Sequence, residues 1–537
     1  MGDGWNFADV WEAVADRFGD RLALAHGSRE LTWRELDQRA DGLGATMLDA
    51  GLDRQAKVAQ LLRNRPDYLE TMFAAFKAGL VPVNTNYRYG AEELVYLWGD
   101  CDAAAVVFEA EFTEVVEQVR HRLPGVVLWL RIDDEERCPR WAVPYEAAVT
   151  SRRGRLEPIW GRSGDDVFLL YTGGTTGRPK GVIWRQDDLF RMLESSAGAE
   201  PVDSFDPRAM VAGLTKPGTT VMPAAPLMHG TACWFVLPVL ARGGTVVTLV
   251  DVSLDPVELL DTVVDRQVKG LCIVGDAFAR PLLAALEGAP DRWDLSGLRV
   301  LFSSGAMLSQ DSKRRLLRFA PRAQVIDGLG SSESGTVGRS VTAGDGAAPS
   351  ASFRLSAGTR VIDEDGNDVE PGSPQAGRLA VGGHLPIGYY RDPDKTASTF
   401  IEIAGRRYVM VGDWASVAAD GSITLLGRGS SCINTAGEKV FPEEVEEVLK
   451  TAPGVRDAGV VGLPDERFGE AVTAVVLLDP ESNFDEAALI DHVKHRLARY
   501  KAPKRVVAVE SFPRGPNGKV DHQLLKAQAR LALGAGR

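Results

Sequence analysis

A chain of 537 residues exceeds one ordinary core, so two or more domains are expected, with interior enough for a substrate pocket. Hydrophobic residues at 45% and charged residues at 25% exclude a disordered chain, and the net charge of −13 weighs against a general polyanion binder, so no nucleic-acid partner is expected. Five scattered cysteines without a CxxC pair read as reduced thiols rather than a disulfide framework or metal knot, and no uncharged apolar run is long enough for a membrane span, which leaves peripheral membrane contact open.

Residues 1–21 are amphipathic and acidic, unlike a signal peptide; with the reduced thiols this points to the cytoplasm. Apolar spacing predicts helices over 7–18 and 31–51, the second stopped by Gly51. Strands over 57–62, 81–83, 103–108 and 126–132 alternate with helices over 66–78 and near 112–122. Such alternation implies parallel sheets covered on both faces, with ligands at the carboxyl ends of the strands.

The apolar run 167–170 delivers YTGGTTGRPKGV, 171–182. Gly173, Gly174 and Gly177 can take positive φ and bring backbone N–H groups close to an anion, Thr172, Thr175 and Thr176 add hydroxyl donors, and Arg178 and Lys180 add positive charge. Pro179 separates the glycines from Lys180, so this is not the GxxxxGK[ST] loop. Taken alone, the stretch reads equally as a phosphate cradle or as a turn between a strand and a helix.

A helix over 187–195 follows, then an irregular stretch over 204–222 and an apolar helix entered through PAAPLMHG and followed by a strand up to 249. His229 stands at that entrance, and Trp234, Phe235, Val236 and Ala277 are candidate pocket or core residues. Strand–helix units continue through 274–286 and 298–304, where FSSGAMLS breaks into small residues able to hug a flat ligand. IDGLGSSESG, 326–335, reads as a loop whose glycines and serines surround Glu333, which suits Mg²⁺ or is a plain surface acid. The section 351–423 is β-rich, and Asp413 in YVMVGDWA can hold a ribose diol or begin a turn. After LGRGSSCI, 426–433, a separate α+β module is expected: a helix opening at Pro442, strands over 458–463 and 471–478, a helix over 486–500 and a strand over 506–509. Lys519 stands on the Pro/Gly turn PRGPNGKV.

In this order and at these distances, YTGGTTGRPKGV, VGDAFARPLL, DGLGSSESG, GDWA and GRGSSCINTAGEKVFPEEVE resemble the adenylate-forming superfamily of acyl-CoA synthetases, peptide-synthetase adenylation domains and firefly-type luciferases. The likeness covers nearly the whole chain and is strongest to the fatty-acid and steroid-side-chain acyl-CoA synthetases of actinobacteria. It implies an α/β fold: a large N-terminal domain, 1–427, with doubly wound sheets and a β-rich subdomain, a hinge at 428–433, and a small mobile α+β domain, 434–537. It implies ATP/AMP, Mg²⁺ and coenzyme A as ligands and a bulky lipophilic carboxylic acid or its acyl-AMP as substrate, and it leaves a homodimer open.

Residue by residue, the resemblance implies that Thr172, Gly173, Gly174, Thr175, Thr176, Gly177 and Lys180 wrap the β- and γ-phosphates. Ser304, Gly305 and Ala306 would lie along the adenine; Asp327, Gly328, Leu329, Gly330 and Ser331 would border the nucleotide, and Ser332 would contact its α-phosphate. Glu333 would hold Mg²⁺, Asp413 the ribose hydroxyls with Arg428 beside them, and His229 the acyl pocket or its gate. Lys519 would reach the carboxylate and α-phosphate, and Gly437 would border the pantetheine tunnel. Leu329 replaces a frequent adenine-stacking aromatic residue, Ser430 and Ser431 the usual hinge residues, and Ala436 a frequent glycine. Beside a ligase performing both half-reactions stand an enzyme restricted to one of them, one serving a carrier protein, and a non-enzymatic nucleotide or acyl sensor.

Overall fold

The computed structural model describes residues 5–133, 135–152, 154–173, 178–196, 206–344, 352–428, 433–435, 438–465, 469–514 and 520–534. The chain divides into two compact units, Met1–Ala348 with Gly382–Val409, and Pro349–Val381 with Met410–Arg537.

The first unit holds two sheets. In one, the parallel strands Val143–Pro144, Leu128–Ile132, Ala103–Glu109, Lys57–Leu61, Val81–Asn84 and Val167–Thr172 lie in that order, and Lys180–Arg185 and Gly388–Tyr389 complete it antiparallel. In the other, Leu22–His26, Thr245–Thr248, Thr220–Pro223, Gly270–Ile273, Val300–Ser304 and Gln324–Ser331 run parallel, between the antiparallel flanks Arg29–Thr32 and Gly335–Ala343. The expected doubly wound α/β architecture is therefore present. Helices such as Phe7–Phe18 and Pro66–Lys77 supply the covering apolar stripes; Pro66 sits in the first turn, where a missing N–H costs nothing.

Several sequence expectations change. The helix read over 31–51 is Trp33–Asp49, because Thr32 ends an edge strand and caps the helix, its Oγ1 accepting from the Glu35 N–H at 3.2 Å while Glu35 reaches back to the Thr32 N–H at 2.8 Å. The irregular stretch over 204–222 contains the helix Pro207–Ala212 and the central strand Thr220–Pro223; the strand is short and bounded by glycine and proline, which hid it. The helix Ala91–Asp100 had no counterpart in the sequence reading.

The second unit has an antiparallel sheet ordered Ser352–Leu355, Ile423–Arg428, Asp413–Val417, Ala376–Val381, Thr359–Ile362. A second sheet pairs Val455–Asp465 antiparallel to Gly469–Leu478, which Arg505–Ala508 joins in parallel. The helix Pro442–Lys450 buries Val445 and Leu449 against it, and the C-terminal helix His522–Gly534 buries Leu525 and Ala529. The helix expected over 486–500 ends at Lys494: Leu489 and Val493 are its buried positions, and a 3₁₀ turn, Arg499–Lys501, then leads the chain to the edge strand. Most of the expected hinge, 429–432, lies outside the described residues.

Candidate active site

Thr172 closes the strand Val167–Thr172, and the chain returns antiparallel as Lys180–Arg185 with Thr172 opposite Lys180. The stretch 171–182 is thus the tip of a hairpin, not a passage into a helix. The return strand escaped the sequence reading because its buried positions Gly181, Val182 and Trp184 do not alternate cleanly. Gly174, Thr175, Thr176 and Gly177 lie outside the described residues. Gly173 faces open space, since a Cβ there would meet nothing within 4 Å. At the base of the tip Lys180 is ion-paired with Asp392, and the hydrogen bond from its ammonium holds the Asp392 carboxyl below the usual range. The Tyr96 hydroxyl donates to the Pro179 carbonyl at 3.1 Å, and the Arg178 guanidinium lies 4.8 Å above the Tyr96 ring.

In the second sheet four neighbouring parallel strands end side by side, the place where open α/β sheets bind ligands. Thr220–Pro223 leads to His229, the half-buried N-cap of the helix Gly230–Leu240. Gly270–Ile273 leads to the helix Gly275–Gly288. Val300–Ser304 ends at Ser304, before the exposed Gly305 and half-buried Ala306. A Cβ on Gly305 would lie 3.4 Å from Thr231 Oγ1, so this turn faces the start of the His229 helix.

Gly275 has φ +55°, and a Cβ there would lie 2.4 Å from the Met307 carbonyl oxygen. Gly275→Ala is therefore expected to destabilise the fold by about 2 kcal/mol through backbone strain and overlap. Denaturant unfolding checks this; an unchanged midpoint would remove the steric account.

The strand Gln324–Ser331 runs through Asp327, Gly328, Leu329, Gly330 and Ser331, which the sequence reading placed in a loop. It persists because both edges are paired, Ser303 and Ser304 with Asp327 and Gly328 on one side and Gly335–Ala343 on the other. At the hairpin's bulge Gly330 approaches so closely that a Cβ would sit 2.3 Å from the Gly335 carbonyl oxygen. Asp327 is turned inward, 3.0 Å from the buried Lys313, and burial pushes its carboxyl up. Its carboxylate pairs with Lys313.

Ser332 and Glu333 occupy the tight turn that follows, both half-buried. The Trp184 Nε1–H donates to the Ser332 carbonyl at 3.0 Å, and the Tyr389 hydroxyl donates to Glu333 Oε1 at 2.9 Å. Trp184 lies on the return strand of the Thr172 hairpin, and Tyr389 on the edge strand beside it. These two bonds stitch the Thr172 hairpin to the Glu333 turn. Neither residue was singled out from sequence, because nothing local distinguishes them from core aromatics.

In the second unit Asp413 begins its strand directly opposite Arg428. Lys519, Gly437, Ser430, Ser431 and Ala436 lie outside the described residues.

The donor set of the first unit fits a nucleotide triphosphate with a small hard cation. Among the described residues no group of three or more His, Cys, Asp or Glu could cage a metal. A single carboxylate suits Mg²⁺, which keeps waters and phosphate oxygens as its other ligands.

The family description "AMP-binding enzyme" matches residues 11–390, and "AMP-binding enzyme C-terminal domain" matches 444–519. A medium/long-chain-fatty-acid–CoA/3-oxocholest-4-en-26-oate–CoA ligase of Mycolicibacterium smegmatis is 39% identical over 533 residues, 97% of this chain and 96% of the relative. A 3-oxocholest-4-en-26-oate–CoA ligase of Rhodococcus rhodochrous is 38% identical over 98% of this chain and 96% of its own length. Among solved structures, ATP-bound MatB from Rhodopseudomonas palustris superposes with a TM-score of 0.80 at 26% identity, covering 98% of this chain and 99% of that one. The anthranilate CoA ligase AuaEII with anthranoyl-AMP shares the fold, with a TM-score of 0.84 at 22% identity and 99% coverage of both chains.

Proposed function

Because this chain belongs to the AMP-binding enzyme family, we propose that it is an ATP-dependent acyl-CoA ligase that activates a bulky lipophilic carboxylic acid as acyl-AMP and then transfers the acyl group to coenzyme A. The observation that carries this reading is the stitching of the Thr172 hairpin to the Glu333 turn, beside the strand ends bearing His229 and Ser304.

A carboxylate is a poor acyl donor because oxide is a bad leaving group. Its oxygen therefore attacks the α-phosphorus of ATP, pyrophosphate departs, and the mixed anhydride accepts a thiol while AMP leaves. Two anions meet in the first step. In this reading the Thr172 hairpin holds the β- and γ-phosphates with Lys180, Ser332 contacts the α-phosphate, and Glu333 holds Mg²⁺. Ser304, Gly305 and Ala306 flank the adenine, Asp413 and Arg428 the ribose, and Lys519 neutralises the reacting oxygens. Bound Mg²⁺ supplies positive charge to the phosphate oxygens. The domain scheme is 1–427, a hinge at 428–433 and a mobile 434–537 whose rotation exchanges Lys519 for the thiol tunnel beside Gly437.

The acid is proposed to be a medium- or long-chain fatty acid or a sterol-derived carboxylate, the substrates in the relatives' names. Half-buried Trp234 and Phe235 support an apolar wall beside His229: Phe235 stacks on Phe302 at 5.7 Å, and Trp234 meets Trp184 edge-on at 5.8 Å. Val236 is fully buried and belongs to the core. We place the enzyme in the cytoplasm, where the free thiols Cys101, Cys138, Cys233 and Cys272 stay reduced; no described helix is long and apolar enough to cross a membrane.

A panel of fatty and steroid acids with ATP is expected to release pyrophosphate and, with coenzyme A, yield thioester. Pyrophosphate without thioester would assign a single half-reaction, and no acid-dependent turnover would return the chain to a sensor role.

A further inference from the structure

Two asparagines tie the sheets of the first unit together at the site, and neither carries an assigned role. Asn84 ends the strand Val81–Asn84 and is 8% exposed. Its Nδ2 donates to the Tyr171 carbonyl at 2.9 Å and the Met228 carbonyl at 2.8 Å, while its Oδ1 accepts from the Tyr171 N–H at 2.7 Å. Asn64, just past the neighbouring strand Lys57–Leu61, repeats the pattern. Its Nδ2 donates to the Pro223 and Ala225 carbonyls at 2.9 and 2.8 Å, and its Oδ1 accepts from the Leu227 N–H at 2.6 Å. All of these partners are backbone atoms.

The geometry has a physical reason. The parallel strands Val81–Asn84 and Val167–Thr172 are paired at Val83 and Leu169. A side-chain amide has the same donor and acceptor as a peptide, so Asn84 extends the pairing past that point to both polar atoms of Tyr171. Its second N–H then crosses to the other sheet. Asn84 thereby holds at once the residue before Thr172 and the residue before His229. Asn64 holds the rest of the turn, 223–227, that presents His229 to the site.

We propose that Asn84 and Asn64 are positioning residues for acid activation: Asn84 sets the separation between the Thr172 hairpin and His229, and Asn64 fixes the His229 turn. The kinetic form of this proposal rests on the acyl-CoA ligase reading, because the two loops it couples are those assigned there to the triphosphate and the acid. Misplacement of reacting groups by about 1 Å costs about 100-fold in rate, whereas loss of a purely structural bond lowers every activity through the folded fraction.

The test uses Asn84→Ala and Asn64→Ala in the full chain. Asn84→Ala is expected to lower kcat for acid-dependent pyrophosphate release about 100-fold per folded molecule, with the KM for ATP and thioester formation from supplied acyl-AMP each within about threefold of wild type. Asn64→Ala is expected to raise the KM for the acid about tenfold and leave that for ATP unchanged. Equal loss in both half-reactions, or loss in neither, overturns the proposal. If Asn84→Ala fails to fold, Asn84→Asp, which keeps the shape and the acceptor but lacks both donors, reads the same split.

Amide hydrogen exchange provides an arm independent of turnover. Peptides covering 168–172 and 226–232 should both exchange faster in Asn84→Ala, and the second alone in Asn64→Ala. Unchanged exchange at both segments overturns the positioning role whether or not any acid is consumed. Altered exchange with a wild type that activates no acid would instead overturn the ligase reading and keep the coupling.

Discussion

Lys519→Ala is expected to reduce acyl-AMP formation by about 100- to 1,000-fold, or about 3–4 kcal/mol in barrier, while thioester formation from supplied acyl-AMP stays within a fewfold of wild type. In the first half-reaction a carboxylate approaches a polyphosphate, and negative charge gathers on the α-phosphate oxygens as the new bond forms. A lysine ammonium placed against those oxygens stabilises the transition state more than the separated anions, so its loss appears in kcat rather than in ATP binding alone. The second half-reaction begins from a mixed anhydride whose phosphate is already esterified, and the attacking group is a thiol. It gains nothing from a cation at the first position, and in the proposed domain rotation it requires that cation to be gone. Separate assays of pyrophosphate release and of thioester formation check the asymmetry. Equal loss in both would assign Lys519 a structural place in the C-terminal module instead.

The second large effect concerns Glu333. Glu333→Gln keeps the side-chain shape and an oxygen able to accept the Tyr389 hydroxyl, which lies 2.9 Å from Oε1 in the native protein, but it removes the negative charge. Pyrophosphate release is expected to fall about 100-fold, and the Mg²⁺ concentration for half-maximal nucleotide binding to rise about tenfold or more, because a neutral amide is a far weaker ligand for a hard cation. Thermal stability should change little, since the turn is held by backbone bonds and by Trp184 on the Ser332 carbonyl. Tyr389→Phe is expected to shift the Mg²⁺ dependence in the same direction by a smaller factor, through loss of the hydroxyl that orients the carboxylate. A Mg²⁺ titration followed by nucleotide binding, without turnover, separates this role from a defect in chemistry; an unshifted titration for Glu333→Gln would remove the carboxylate from the metal.

The same pair of residues marks where sequence reading stops. Glu333 was legible as a candidate because glycines and serines flank it after a strand, and Thr172 because it opens a Gly/Thr-rich run able to cradle an anion. Tyr389 and Trp184 were not. Tyr389 lies 56 residues from Glu333, and Trp184 148 residues from Ser332, and an aromatic residue in an apolar segment carries no mark of which distant carbonyl or carboxylate it will meet. The asparagines are a sharper case. Nothing in the sequence singles out Asn64 or Asn84, and their partners in the His229 turn lie 144 to 163 positions downstream. Asp327 makes the same point from another side: its carboxylate pairs with Lys313, a partner on the helix Gln310–Phe319 that nothing in the DGLGSSESG stretch announces.

By itself, then, the sequence determined the α/β alternation, the order of the candidate ligand-binding stretches and the chemical groups each one offers. Those properties are local: apolar periodicity selects helix or strand, and glycine, hydroxyl and carboxylate content selects what a loop can hold. Only the tertiary structure decided that the Thr172 stretch is a hairpin, that DGLGS is strand, and that asparagine, tryptophan and tyrosine side chains tie the segments at the ends of the two sheets together. The last of these outcomes rests on hydrogen bonds between segments more than 50 residues apart. Their energy depends on which backbone groups are left unpaired after the sheets have formed, a condition that no single segment encodes.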